Sequence, residues 1–266
     1  MKHYALIGRP LGHSLSQHLF EEAVPADVAD YRLCELPSLD GLRRWVEAEG
    51  ISGFNVTSPY KEAILPHLDA LDPVAEAIGA VNCVNVDDGR LVGHNTDAPA
   101  FQQTLEEALT PFTSHLSPLT SHLSPSAVIL GTGGAARAVA YALSQMGIPY
   151  TFVSRHPERL KVKGEKLKVI GYAELSTFNF QLSTFLPASQ ALSTAESKYN
   201  PAKNFQLLIN ATPVGTWPNV DASPLPPNFQ FSIFNFQLVY DLIYNPSPTR
   251  LIREAAACGV ATKDGS

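Results

Sequence analysis

No stretch of this 266-residue chain approaches the roughly 20 consecutive apolar residues of a membrane span. No basic segment leads into an apolar one near the start, so neither a membrane anchor nor a secretory signal is expected. Cysteine is scarce. Cys34, Cys83 and Cys258 are widely separated and form no CxxC pair, which argues against a disulfide framework or a metal site and for reduced thiols in a cytoplasmic protein. Cys83 sits inside the apolar run 80–84 and reads as a buried structural thiol. Positive charge is also short: 19 Lys and Arg face 25 Asp and Glu, a formal net charge of −6. A nucleic-acid partner would want a basic face. Small anions stay compatible, since a few local basic groups can hold them.

The rest of the composition, 45% hydrophobic and 17% charged, suits a globular protein long enough for two domains. Residues 4–8 form a short apolar run ending in Gly8, a predicted strand. A loop follows, then a helix-like segment with Leu19, Phe20 and Ala23. Residues 31–36 and 51–56 read as further strands, and residues 39–49 as a helix with Leu42, Trp45 and Val46 on one face. This alternation predicts an α/β unit with a mainly parallel sheet. The second half repeats the pattern, with strands expected at 128–130, 150–153, 207–210 and 238–242 and a small-residue helix at 135–146. The first domain is expected to cover residues 1–100 and the second 101–266, with 101–109 as a connecting helix.

Two regions break the pattern. Thr-Ser-His-Leu-Ser-Pro occurs at 113–118 and again at 120–125, and Asn-Phe-Gln recurs at Asn179, Asn204, Asn228 and Asn235. These copies are too short and irregular to stack as solenoid units. They read as surface insertions near 113–125, 173–206 and 222–237, with 173–203 a long loop. His115 and His122 are then loop decoration and not metal ligands. The phenylalanines around Phe231 to Phe236 make a β-prone window, an aggregation liability if exposed.

Chemistry concentrates in three places. Asn55, Thr57 and Lys61 follow one strand-like run, and residues 93–97, ending in Asp97, follow another. A lysine and a carboxylate brought together at strand ends can relay a proton, because each shifts the other's affinity for it. Downstream, Gly131, Gly133 and Ala136 occupy the small-residue positions of a G-x-G-x-x-G/A turn between a strand and a helix, with Gly134 and Ala135 inside it. Such a turn presents a helix N-terminus to a pyrophosphate. The next strand ends in Ser154 and Arg155, with Arg159 beyond, where an NAD site would want an acidic residue. Those groups suit a 2′-phosphate, so NADP is favoured over NAD, although Glu158 opposes it and solvated arginines would look the same. Ser14 and Ser16 place two hydroxyls in a glycine/proline loop, a pattern that fits either an anion or a helix cap. A proton relay beside a nicotinamide site points to carbonyl/alcohol redox chemistry.

Taken in order, these segments resemble the shikimate dehydrogenase family. The matching stretches are 8–16 (GRPLGHSLS), 53–61 (GFNVTSPYK), 79–82 (GAVN), 93–97 (GHNTD), the glycine turn, 210–215 (NATPVG) and 240–246 (YDLIYNP). The resemblance implies an α/β protein of two domains, an N-terminal substrate domain and a Rossmann-type doubly wound NADP-binding domain, with the active-site cleft between them. It implies NADPH-dependent reduction of 3-dehydroshikimate to shikimate, on the route to chorismate and the aromatic amino acids. By the same resemblance Lys61 and Asp97 are catalytic. Ser14 and Ser16 hold the substrate carboxylate, and Asn55, Thr57, Asn82 and Tyr244 contact its carboxylate or ring hydroxyls. Asn210, Thr212, Gly215 and Gly265 lie on the cofactor side. Without the family pattern, Asn82 equally fits a satisfied turn residue.

The expected partners are a small-molecule substrate and NADP(H), with no metal, nucleic acid or membrane, in a monomer or homodimer. The departure from the family is at the end of the chain. Members continue past the position of Gly265 into a helix that supplies a glutamine to the substrate, whereas this sequence stops at Ser266. That difference keeps open a second reading, a dinucleotide-binding remnant of little activity; separately, the residues do not fix the ring-substituent preference, which leaves an enzyme of broader quinate/shikimate specificity as a third.

Overall fold

The alternating runs resolve into two six-stranded sheets, one in each of two compact units, Met1–Phe101 and Gln102–Ser266. In this computed structural model the described residues are 1–12, 14–113, 126–159, 168–175, 206–227, 229, 231 and 236–266. Among them no helix is long and apolar enough to cross a membrane.

The first unit runs β1 (Lys2–Ile7), α1 (Ser16–Ala23), β2 (Ala29–Cys34), α2 (Leu42–Ala48), β3 (Ile51–Val56), α3 (Tyr60–Ala63), β4 (Ala70–Leu71), α4 (Pro73–Ile78), β5 (Cys83–Asp87) and β6 (Arg90–His94). The strands lie in the order β2-β1-β3-β5-β6-β4. α2 buries Leu42 and Val46 against the sheet, and Trp45 meets Phe54 edge-on at 5.9 Å between ring centroids. That is the one-sided pattern its sequence predicts.

This sheet is mixed. β1, β2 and β3 are parallel, but β5 runs antiparallel to both β3 and β6. Asp88 and Gly89, which both have positive φ, close β5 onto β6 as a two-residue hairpin, so β6 returns parallel to β3. Such a turn matches the twist of its flanking strands. As a result Asn55 lies opposite Cys83, and Cys83 lies opposite His94. The end of β3, the start of β5 and the end of β6 therefore share one edge of the unit, and the chain leaving each carries the polar residues 57–61, 82 and 95–97. Asp72 braces the same edge. It caps α4 by accepting from the Ala75 N–H at 2.6 Å, and its other oxygen pairs with His94 Nδ1 at 2.8 Å. Cys83 is half-buried, less enclosed than its apolar run suggests, although burial still pushes its thiol pKa up.

α5 (Asp97–Thr113) runs across the boundary between the units. It begins four residues before the expected 101–109 helix. Asn95 accepts from the Ala98 N–H at 3.2 Å, and Pro99 sits in the first turn, where its missing N–H costs nothing.

The second unit comprises β7 (Ser126–Leu130), α6 (Gly134–Gln145), β8 (Tyr150–Ser154), β9 (Val169–Gly171), α7 (Tyr172–Leu175), β10 (Gln206–Asn210), β11 (Phe236–Asp241), α8 (Arg250–Ala257) and β12 (Ala261–Lys263). All its strand pairs are parallel, in the order β12-β11-β10-β7-β8-β9. This is the doubly wound arrangement, with its reversal of direction between β7 and β10. Both of those strands are buried along their full length, as expected for strands covered on two faces.

Most of the repeat-bearing segments, including His115, His122, Asn179, Asn204, Asn228 and Asn235, lie outside the described residues. The described residues that flank them belong in part to the second core. Residues 172–175 form α7, and Leu175 is fully buried beside Val153 and Ile170. Leu225, Phe231 and Phe236 also belong to the second core. Phe229 packs there too, its ring 5.2 Å from that of Phe231. Of that β-prone window, Phe231 and Phe236 thus fill the interior, because the parallel sheet offers an apolar face that they cover.

Among the described residues one carboxyl group is as enclosed as this core. Asp241, at the end of β11, is 0% exposed. Burial pushes its carboxyl up to about 6, helped by the charge of Asp264 and opposed by hydrogen bonds from Thr249, Ile243 and Asn210. Below pH 3.8, the ordinary value, the group is protonated in folded and unfolded chain alike and costs nothing. As the pH rises through about 6, the folded state must hold a buried charge that the unfolded chain carries in water. Stability from this group therefore falls across that window, by on the order of 3 kcal/mol. Asp241→Asn is expected to remove the effect. In urea unfolding at pH 4 and pH 7 the wild-type chain should lose more stability between the two than the variant does; equal losses would refute the cost.

Candidate functional site

In the first unit the shared edge gathers a continuous hydrogen-bonded chain. Tyr31, on β2, donates its hydroxyl to Asn55 Oδ1 at 2.8 Å, and Asn55 Nδ2 donates to the Asn82 carbonyl at 3.3 Å. Asn82 Nδ2 donates to Asp97 Oδ1 at 2.7 Å and to Thr96 Oγ1 at 2.8 Å, while Asn82 Oδ1 accepts from the Thr96 N–H at 2.8 Å. Lys61 Nζ donates to Asp97 Oδ2 at 2.6 Å. A carboxylate only accepts, so Asp97 dictates which end of the Asn82 amide faces it.

Both members of the Lys61–Asp97 pair are partly open to solvent, with side chains 20% and 34% exposed. An ion pair this exposed adds little to stability. Its chemical value lies elsewhere. The ammonium carries three protons, and the one given to Asp97 leaves others for an oxygen arriving from outside. α3 holds the lysine, and the Val81 N–H fixes that turn by donating to the Lys61 carbonyl at 2.8 Å.

Thr57 begins the turn between β3 and α3. Its N–H donates to the Ile7 carbonyl at 2.9 Å, and its carbonyl accepts from the Tyr60 N–H at 2.9 Å. The serine loop is tied to this turn through the Arg9 N–H, which donates to the Ser58 carbonyl at 3.0 Å. Within the loop the Ser14 hydroxyl donates to Ser16 Oγ at 3.2 Å and also accepts from the Ser16 N–H at 3.2 Å. The two hydroxyls are therefore neighbours at the start of α1, both half-buried.

In the second unit the glycine turn lies at the reversal between β7 and β10. Gly131 has φ +99°, and a side chain there would sit 2.9 Å from the Thr212 methyl. Only glycine therefore permits both the backbone conformation and the close approach of the loop after β10. Gly133 caps α6, and the space where its side chain would be is open to 4 Å. Gly134 and Ala135 open the helix, and Ala136, with no exposed surface, lets it lie close to the sheet. A pyrophosphate needs such a turn, with an open backbone at a helix N-terminus, and this one fits it.

Ser154 is half-buried at the end of β8, its Oγ accepting from the His156 N–H at 3.0 Å. Arg155 is exposed beside it, near enough to oppose the rise that burial imposes on the Tyr172 hydroxyl. The side chain of Arg159 lies outside the described residues. Asn210 accepts from both the N–H and the hydroxyl of Thr212, at 3.1 and 2.7 Å, which shapes the loop leading to Gly215. Tyr244 is 38% exposed. The Gly265 N–H donates to the Ile243 carbonyl at 3.2 Å, setting that residue against the 242–243 backbone. Among the described residues no cluster of three or more His, Cys, Asp or Glu could hold a metal.

Sequence reasoning passed over Tyr31, Thr96 and the hydrogen bonds gathered by Asp241. Tyr31 and Asp241 sit within strand patterns, where an alternating or apolar run gives no sign of what the side chain bonds. Thr96 stood in a motif already noted, but its role as partner to Asn82 depends on the hairpin.

A family model described as the shikimate dehydrogenase substrate binding domain matches residues 6–84. A protein of Moorella thermoacetica named shikimate dehydrogenase (NADP(+)) is 36% identical over 271 residues, spanning 98% of this chain and 81% of the relative. Shikimate dehydrogenase 1 from Peptoclostridium difficile superposes with a TM-score of 0.76 at 30% identity, covering 100% of this chain and 86% of that one. A shikimate 5-dehydrogenase from Thermus thermophilus, solved in complex with NADP(H) and shikimate, gives a TM-score of 0.69 at 33% identity, covering 100% of this chain and 87% of that one.

Asn82→Asp tests the amide's place in the network. It sets a carboxylate against Asp97 in place of a donor, and is expected to cost about 1–3 kcal/mol at pH 7 and less at pH 4, where the repulsion is relieved. Thermal melts of both chains at the two pH values measure this, and a cost that does not change with pH would contradict it.

Proposed function

The chain belongs to the shikimate dehydrogenase family, and from that premise we propose that it reduces 3-dehydroshikimate to shikimate with Lys61 and Asp97 at the reacting ketone. The observation that carries the assignment is the 2.6 Å Lys61–Asp97 contact inside the Asn55–Asn82 network. NADPH, bound at the glycine turn, supplies the hydride to the ketone carbon. Negative charge then develops on the ketone oxygen, where the Lys61 ammonium stabilises it and delivers the proton that completes the hydroxyl. In the reverse direction the neutral Lys61 amine takes that proton back. Asp97 holds the lysine by one oxygen and Asn82 by the other, so the ammonium is oriented before substrate arrives.

The remaining contacts divide by chemistry. Ser14 and Ser16 offer adjacent hydroxyls to the substrate carboxylate, supported by their mutual hydrogen bond in a loop tied to Ser58. Asn55, Thr57, Asn82 and Tyr244 serve the carboxylate or ring hydroxyls. Gly131 through Ala136 receive the pyrophosphate, and Ser154, Arg155 and Arg159 the 2′-phosphate. Asn210, Thr212, Gly215 and Gly265 line the cofactor side. The enzyme works in the cytoplasm as a monomer or homodimer, without a nucleic-acid partner. The net charge of −6 supports the absence of a nucleic-acid partner, and the three free thiols support the cytoplasm.

A steady-state assay of 3-dehydroshikimate reduction with NADPH tests the whole, with NADH as comparison. Lys61→Ala is expected to lower turnover by about 100-fold or more while still binding NADPH; near-wild-type turnover would sink the assignment. Arg155→Ala should reduce the preference for NADPH over NADH by about tenfold, the worth of one charge-assisted bond to phosphate. An unchanged cofactor ratio would move the 2′-phosphate site elsewhere.

A further inference from the structure

Asp241 is a buried carboxylate that the chemistry above does not use, and packing alone gives no reason for it. An amide or a leucine of similar size would fill the space without the cost of a charge. Its surroundings show what the carboxylate does. Asn210 and Asp241 are register partners at the carboxyl ends of β10 and β11, the side of a parallel sheet where ligands bind. Asp241 Oδ1 accepts from Asn210 Nδ2 at 2.9 Å and from the Ile243 N–H at 3.1 Å, and Oδ2 accepts from the Thr249 hydroxyl at 2.8 Å.

Each of these bonds reaches a different piece of the site. Because an ionised carboxylate only accepts, Asn210 must turn its amide nitrogen inward and its oxygen outward. That oxygen takes both donors of Thr212, and Thr212 Oγ1 in turn accepts from the Val214 N–H at 3.2 Å. Thr212 is the residue whose methyl packs where a Gly131 side chain would be, against the glycine turn. The Ile243 bond holds the segment that leads to Tyr244. A flipped Asn210 amide would present donors to Thr212 N–H and reverse the pattern.

We propose that Asp241 is a positioning residue for the cofactor: acting through Asn210, its carboxylate sets the Thr212–Gly215 loop against the glycine turn. The proposal rests on the assignment of that turn and loop to NADPH. Thr249 serves a separate purpose, capping α8 by accepting from the Ile252 N–H.

The test uses the purified full chain and NADPH as probe, read by nucleotide fluorescence, with circular dichroism to score folding. Asp241→Leu, which removes the acceptor that faces Asn210, is expected to fold and to bind NADPH about tenfold more weakly, with KM for NADPH raised to match. The double variant Asp241→Leu/Asn210→Ala should bind no worse than Asn210→Ala alone, since both act along one path. Thr249→Val strips a donor from Oδ2 only, and should lower stability while leaving NADPH affinity within about twofold. Near-wild-type affinity in Asp241→Leu overturns the proposal. So do additive losses in the double variant, or a loss in Thr249→Val as large as that in Asp241→Leu. If Asp241→Leu does not fold, Asn210→Ala alone must weaken NADPH about tenfold, and unchanged affinity there is equally fatal. Binding needs no substrate, so a chain that binds NADPH without turning over 3-dehydroshikimate defeats the functional reading and leaves this test standing.

Discussion

A carboxylate can accept hydrogen bonds but not donate them, and each unit of this protein uses that asymmetry to orient an asparagine. In the first unit Asp97 forces the Asn82 amide nitrogen toward itself, leaving the Asn82 oxygen for the Thr96 N–H. In the second, Asp241 does the same to Asn210, whose oxygen then gathers Thr212. Amide oxygen and nitrogen are nearly equal in size, so packing alone would not choose between the two orientations. The carboxylates make the choice, and the donors and acceptors that follow from it point the same way each time the chain folds.

The two carboxylates differ in their surroundings, and with that in their roles. Asp97 is partly open to solvent and pairs with Lys61, the setting that the proposed chemistry needs. Asp241 has no exposed surface and is met by neutral donors from Asn210, Ile243 and Thr249, so it belongs to the architecture. An open site lets a lysine exchange its proton with what arrives from outside. A closed one holds its charge at a cost, and repays it in geometry.

Strand ends explain why these groups lie where they do. Within the parallel sheet of the second unit, every strand delivers its carboxyl end to the same side, so the turns after β7, β8, β10 and β11 are neighbours whatever their distance in sequence. The first unit reaches a similar result by a different route. The Asp88–Gly89 hairpin turns β5 and β6 against each other and returns His94, and the residues after it, to the edge where β3 ends. Lys61 and Asp97 lie 36 residues apart in sequence and meet through that return.

Read alone, the sequence determined the elements and singled out the groups proposed to react. Apolar runs marked the strands, Gly131 and Gly133 marked the turn, and Lys61 and Asp97 stood out because ionisable residues beside small polar ones are chemically distinctive. These are local signals, carried by residue type and short spacing. The tertiary structure alone decided three things. It placed Phe231 and Phe236 inside the core, because burial depends on which sheet face is left to cover. It extended α5 back to Asp97, because Asn95 caps it only once Ala80 holds the Asn95 amide, at 3.0 Å. And it made Asp241 a hub, because a carboxylate at the end of an apolar strand takes its meaning from three donors that the chain brings from 31 residues before it and from 2 and 8 residues after it. A hydrogen bond is a relation between two positions in space, and the sequence records only one of them at a time.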